Sequence, residues 1–175
     1  YDQSGKGNDM WYQGSTKVPG SNVSIPATAT KEQFKISGHT VYSLYIDPNV
    51  CYWRDGSKSG MPTGAQPEGM YMVTSGKHYN GGCCFDYGNS EVTRMPDGAG
   101  TMDAINFSNQ CWYGTANSAG PWVQADLEWG LFSGGSQSWN TNQKSFPFQY
   151  VTAMLKNNGT TEFALKGANA ASAQK

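Results

Sequence analysis

Residues 121–134 read PWVQADLEWGLFSG, and the fold follows from how this stretch alternates. With a period of two, Val123, Ala125 and Leu127 fall on one side, as side chains suited to a core. Gln124, Asp126 and Glu128 fall on the other. Carboxylates two residues apart on one face raise each other's pKa, and such a face gains nothing from hydrophobic burial. It makes sense as the lining of a polar groove for a ligand rich in hydroxyls, with Trp122 and Trp129 offering flat faces to a sugar ring. The spacing equally describes an edge strand with a solvated acidic face, because D-x-E is a short and common string. Both readings stay open on spacing alone.

Outward from this stretch, the chain reads as strands separated by turns. Thr40 to Ile46 (TVYSLYI) alternates and ends at Asp47-Pro48-Asn49. Further strand-like runs cover Gly69 to Thr74, Thr101 to Phe107, Trp122 to Phe132, Phe146 to Lys156 and Thr161 to Lys166. Turn signals lie between them, among them Pro96-Asp97-Gly98, Ser133-Gly134-Gly135 and Asn157-Asn158-Gly159. Residues 151–156 could be argued as helix, but Val151 beside Thr152 favours strand. Many short strands at this spacing predict an all-β jelly-roll sandwich, in a single domain over residues 1–175. Tyr1 to Asp9 is a Gly- and Asx-rich segment whose spacing suits a tight turn better than a calcium loop. Residues 54–67 form a Gly/Ser/Pro-rich loop of the kind that carries binding residues.

Composition narrows the function. The net charge is −1 and no Lys/Arg cluster occurs, which argues against a nucleic-acid partner. No apolar run approaches the length of a membrane span. Aromatic residues make up 13% and glycines number 22, a mix that suits a turn-rich β protein with aromatic binding surfaces. The first residue is Tyr1 rather than Met, so a fragment of a longer protein is expected. Glycosylation acceptor strings stand at Asn22, Asn106 and Asn158. Cys51, Cys83, Cys84 and Cys111 lack the paired spacing of a zinc site, and His39 and His78 sit near no second ligand pattern, so no metal and no cofactor is implied.

A second unusual stretch is GGCCFDYGN at 81–89. Adjacent cysteines can bond to each other only in an eight-membered ring, since their Cα atoms lie about 3.8 Å apart, below the usual disulfide range. The alternatives are two reduced thiols at Cys83 and Cys84, or pairing of each with Cys51 and Cys111. Spacing alone favours these alternatives.

Together the two stretches resemble the catalytic domain of α-L-arabinofuranosidase B, family 54 of the glycoside hydrolases. The matching segments are YDQSGKGND at 1–9, EGMYMVTSGKHYNGGCCFDYGNSE at 68–91, GAGTMDAI at 98–105, GPWVQADLEWGLFSG at 120–134 and KGANAAS at 166–172. Residues 10–67 match more loosely. The resemblance implies a concanavalin-like β-sandwich, secreted, that removes terminal α-L-arabinofuranosyl groups from arabinoxylan, arabinan and their oligosaccharides with retention of configuration. It casts Glu128 as nucleophile and Asp126 as a substrate-binding carboxylate beside it. It casts Trp112 as a wall of the sugar pocket, and Cys83 and Cys84 as a vicinal disulfide presenting a flat surface to arabinose. Two departures stand out. Trp129 follows the nucleophile where the family usually has Asn, which bears on one polar sugar contact, and Cys51 and Cys111 have no placed counterpart. The family's acid/base Asp belongs to a G-G-D-N type segment beyond KGANAAS and is expected past the end of this chain.

A retaining glycosidase needs two carboxyl groups about 5–5.5 Å apart, one attacking the anomeric carbon and one protonating the leaving oxygen. Asp126 and Glu128 share a strand face and approach the sugar from one side, so Asp126 is read as a binder rather than the acid. The competing reading is a non-catalytic glycan-binding sandwich, which needs only Asp126, Trp112 and the cysteine pair. A β-xylosidase side activity in the same pocket is a third.

Overall fold

The computed structural model describes residues 2–12, 25–48, 50–55, 60–62, 66–79, 85–89, 103–109, 120–127, 144–159 and 161–172. Among them every regular element is a strand. The chain divides into two compact units, Tyr1–Met61 and Pro62–Lys175.

In the first unit, β1 (Trp11–Tyr12), β2 (Glu32–Ile36), β3 (His39–Ser43) and β4 (Tyr52–Trp53) form two antiparallel pairs, β1 with β4 and β2 with β3. The β2–β3 hairpin closes on Ser37 and Gly38, whose φ angles of 50° and 84° are those of a two-residue turn matching strand twist. The strand expected over 40–46 therefore starts at His39 and ends at Ser43, where pairing with Glu32 stops. The opening segment is a turn built on Asp2. Its carboxylate accepts from the Asn8 and Ser4 N–H groups at 2.9 and 2.8 Å and from the Ser4 hydroxyl at 2.8 Å. The Asn8 N–H first, then Ser4, draw its pKa down to about 2.

The second unit holds β5 (Glu68–Ser75), β6 (Asp86–Asn89), β7 (Asp103–Ser108), β8 (Trp122–Leu127), β9 (Tyr150–Asn158) and β10 (Glu162–Asn169). They form two three-stranded antiparallel sheets, ordered β10-β9-β5 and β6-β7-β8. The alternation of 122–127 does what the sequence predicts: Val123, Ala125 and Leu127 are buried in the core. They meet Ile105 and Phe107 of β7 and Val151, Ala153 and Leu155 of β9, so one core joins both sheets. Burial of each large side chain in it contributes about 1.5–3 kcal/mol. Gly167 is needed for the closeness of this packing. A Cβ there would lie 2.7 Å from the Phe146 ring and 3.0 Å from Val123 Cγ2.

One end of the sandwich is closed by polar groups rather than methyls. Asn157 of β9 accepts from the Glu68 N–H at 2.8 Å and donates to Asp103 of β7 at 2.7 Å, and Asn89 of β6 donates to Glu68 at 2.6 Å. Both sheets are thus tied through four side chains. Burial raises the Glu68 pKa, the Asn89 hydrogen bond opposes this, and the Asp103 charge adds to the rise. Glu68 Oε1 is buried without a hydrogen-bond partner, as expected of one acceptor facing another. A proton on the pair, or an amide in its place, supplies the missing donor. A carboxyl whose folded pKa is raised gives its full stability while protonated and loses it as pH rises through that pKa. Glu68→Gln is accordingly expected to raise Tm at pH 7, with an advantage that shrinks toward pH 4. A variant less stable than its parent at pH 7 would show that the ionised pair is well accommodated.

Candidate active site

The outer face of β6-β7-β8 is polar, and the register places its members in rows. Asp86, Asn106 and Gln124 are cross-strand neighbours in one row, and Gly88, Ala104 and Asp126 in the next. The backbone holds the first row in place, since the Phe107 N–H donates to the Phe85 carbonyl at 3.0 Å, just before β6 begins. Gly88 lets β6 lie close to β7, because a Cβ there would come within 2.3 Å of the Asp103 carbonyl oxygen. Asn106 is the hub: its Nδ2 donates to Asp86 Oδ1 at 2.8 Å, and its Oδ1 accepts from the Ser108 hydroxyl at 3.2 Å.

The centre of the face is buried: Asn106 is 3% exposed and Gln124 5%, values that do not fit a solvated edge strand, while Asp86 and Asp126 are half-buried and Gly88 is exposed. Burying amides and carboxyls on the face opposite the core is costly unless they serve one another or a ligand. Electrostatics reflect the same burial. Burial pushes Asp86 up to about 6, against the pull of the Asn106 hydrogen bond and with help from the Asp126 charge. Burial also raises Asp126.

Of the residues the sequence assigns to the site, the structure describes Asp126, on the outer face as the alternation requires. Glu128, Cys83, Cys84, Trp112 and Trp129 lie outside the described residues. In sequence, Cys84 comes two residues before β6 and Glu128 directly follows the last residue of β8. Three readings change. Asp86, which sequence reasoning left without a role, belongs to the same face as Asp126; its signal was its place two residues after the cysteine pair. Asn106 is not a glycan acceptor, being buried and hydrogen bonded to Asp86. Trp122 is buried at 5% exposure, with Gly120 packed against it, so it is a packing residue rather than an open stacking platform.

Known proteins match this chain throughout. The family model described as alpha-L-arabinofuranosidase B, catalytic, matches residues 1–175. A probable alpha-L-arabinofuranosidase B of Aspergillus terreus is 43% identical over 175 residues, covering 98% of this chain and 34% of the relative. The alpha-L-arabinofuranosidase B of Emericella nidulans is 43% identical over 182 residues, with the same shares. A Trichoderma koningii protein named arabinofuranosidase/B-xylosidase is 41% identical over 175 residues, covering 98% of this chain and 35% of the relative. The chain spans about a third of the length of these curated relatives. Among solved structures, an arabinofuranosidase complexed with arabinofuranosyl-alpha-1,2-xylobiose superposes with a TM-score of 0.82 at 37% identity, covering 99% of this chain and 36% of that one. A GH54 a-l-arabinofuranosidase soaked with a cyclic sulfate inhibitor gives 0.80 at 35% identity, with the same coverage. From its opening turn to the end of its last strand, then, the chain belongs to the alpha-L-arabinofuranosidase B catalytic family.

Proposed function

We propose that the protein carrying this chain is a secreted, retaining glycoside hydrolase that removes terminal α-L-arabinofuranosyl groups from plant arabinoxylan, arabinan and their oligosaccharides. The observation that carries the proposal is the polar face of β6-β7-β8, where half-buried Asp126 stands beside buried Asn106 and Gln124, in a chain matched along its whole length by this family. A furanose presents hydroxyls around a small ring, and a face of amides and carboxyls with few competing waters suits it. The related structure complexed with arabinofuranosyl-alpha-1,2-xylobiose supports the same sugar here.

In this reading Glu128 attacks the anomeric carbon, and Asp126 holds ring hydroxyls and shapes the local field. Trp112 walls the pocket, and Cys83 and Cys84, bonded as a vicinal pair, present a flat surface to the ring. The acid/base Asp comes from a part of the protein beyond this chain. The carboxylate attacks from the face opposite the leaving group, and water later displaces it from the face the leaving group vacated, so two inversions give net retention. Two measurements on the full-length protein test this. With an activated aryl α-L-arabinofuranoside, the first product seen by NMR is expected to be the α-anomer, and rapid quenching with peptide mapping to find a pentosyl adduct on the peptide containing Glu128. A β-anomer as first product, or an adduct on another peptide, would overturn the mechanism. Binding of arabino-oligosaccharides without any turnover would favour the non-catalytic module instead.

A further inference from the structure

We infer that Asp86 is a positioning residue of this sugar site: as an uncharged carboxyl it orients Asn106 and the polar row beneath Asp126, and on ionising it works against Asp126. The inference rests on the proposed function and adds a residue to it. Three features of the structure support it. The Asp86 side chain is tied to Asn106, which is itself tied to Ser108, so a change at Asp86 is felt at the centre of the face. Asn106 pairs across the ladder with Gln124, two residues before Asp126 on β8. β6 and β8 are two strand spacings apart, about 10 Å, too far for Asp86 to reach the core of the Asp126 hydrogen-bonding shell but close enough for charge to act through a partly buried face.

Charge couples the two carboxyls: burial raises Asp86, and the charge of Asp126 adds to the rise. Among the described residues on this face, β7 contributes uncharged Ala104, Asn106 and Ser108, and β8 contributes Gln124 and the single charge of Asp126. In weakly acidic solution, below its raised pKa of about 6, Asp86 is therefore a neutral hydrogen-bonding group. At neutral pH it adds a carboxylate behind Asp126, without a counter-ion among those residues.

The test is Asp86→Asn in the full-length protein. Asparagine keeps an oxygen to accept from Asn106 Nδ2 and cannot ionise. At pH 5, kcat and KM are expected to stay within about threefold of the parent, while kcat/KM at pH 7 relative to pH 5 rises about three- to tenfold, the range set by near-complete ionisation of the parent carboxyl. Asp86→Leu, which removes the acceptor, is expected to raise KM at pH 5 more than it lowers kcat. Urea denaturation of each variant at both pH values separates folding from function. An Asp86→Asn variant whose activity ratio is unchanged while its stability ratio shifts would show a purely structural carboxyl and overturn the inference. A hundredfold loss of kcat/KM at pH 5 would overturn it too, because the charge itself would then be required. A parent that turns over no arabinofuranoside would instead sink the proposed function, and the parent's own rate tells the two failures apart.

Discussion

Glu128→Gln in the full-length protein is expected to lower turnover of an aryl α-L-arabinofuranoside by about three to five orders of magnitude, the scale of losing a covalent nucleophile. The amide keeps the shape and much of the hydrogen bonding of the carboxylate, so affinity for arabinose should change little. The loss then appears in kcat rather than KM. Glu128→Gly leaves a space that azide or formate can enter, and either anion should restore part of the rate by attacking in place of the missing side chain. Near-normal turnover by the Gln variant would remove Glu128 from this role. The structure bears on the expectation through β8: Val123, Ala125 and Leu127 all face the core, so the alternation is undisturbed up to the residue before Glu128.

What the sequence revealed and concealed has physical causes. β8 and β9 were legible because their inward residues are uninterrupted aliphatics, and burial of Val151, Ala153 and Leu155 is what a period of two predicts. The strand preference of Val151 and Thr152 was likewise decisive against helix at 151–156, which pairs on both sides with β5 and β10. β2 and β6 were not legible. EQFKI carries two charges and only Phe34 is even half-buried, so it has no hydrophobic signal of its own and exists because β3 pairs with it. DYGN looks like a turn by composition, and becomes a strand because Asn106 and the β7 backbone hold it. Asp86 was hidden for the same reason: a carboxyl is recognised as part of a site through its neighbours, and those of Asp86 come from residues about 20 positions away. The polar tie through Glu68, Asn89, Asp103 and Asn157 spans still longer separations and left no local pattern.

Asp126→Asn is expected to lower kcat/KM by about 10- to 150-fold, the worth of one or two charge-assisted hydrogen bonds at roughly 1.5–3 kcal/mol. Two effects compete at this position. A carboxylate accepts strongly from sugar hydroxyls, and an amide of the same size accepts less well while adding a donor. Against this, burial disfavours the charged form of Asp126, so a neutral side chain removes a cost to the fold. The sign of that second effect is fixed. A carboxyl with a raised folded pKa loses stability as pH rises through it, so the Asn variant should be at least as stable as its parent at pH 7, with the difference closing toward pH 4. Activity should therefore fall while Tm holds or rises, the opposite of what a structural carboxylate would give. Inhibition by free arabinose should weaken in proportion, since a binder acts on ground state and product as well as on the transition state. Azide gives the sharpest separation from Glu128. It cannot replace a hydrogen-bond acceptor that never forms a bond to carbon, so Asp126→Gly should stay unrescued. Rescue of Asp126→Gly by azide, with none for Glu128→Gly, would exchange the roles of the two carboxylates.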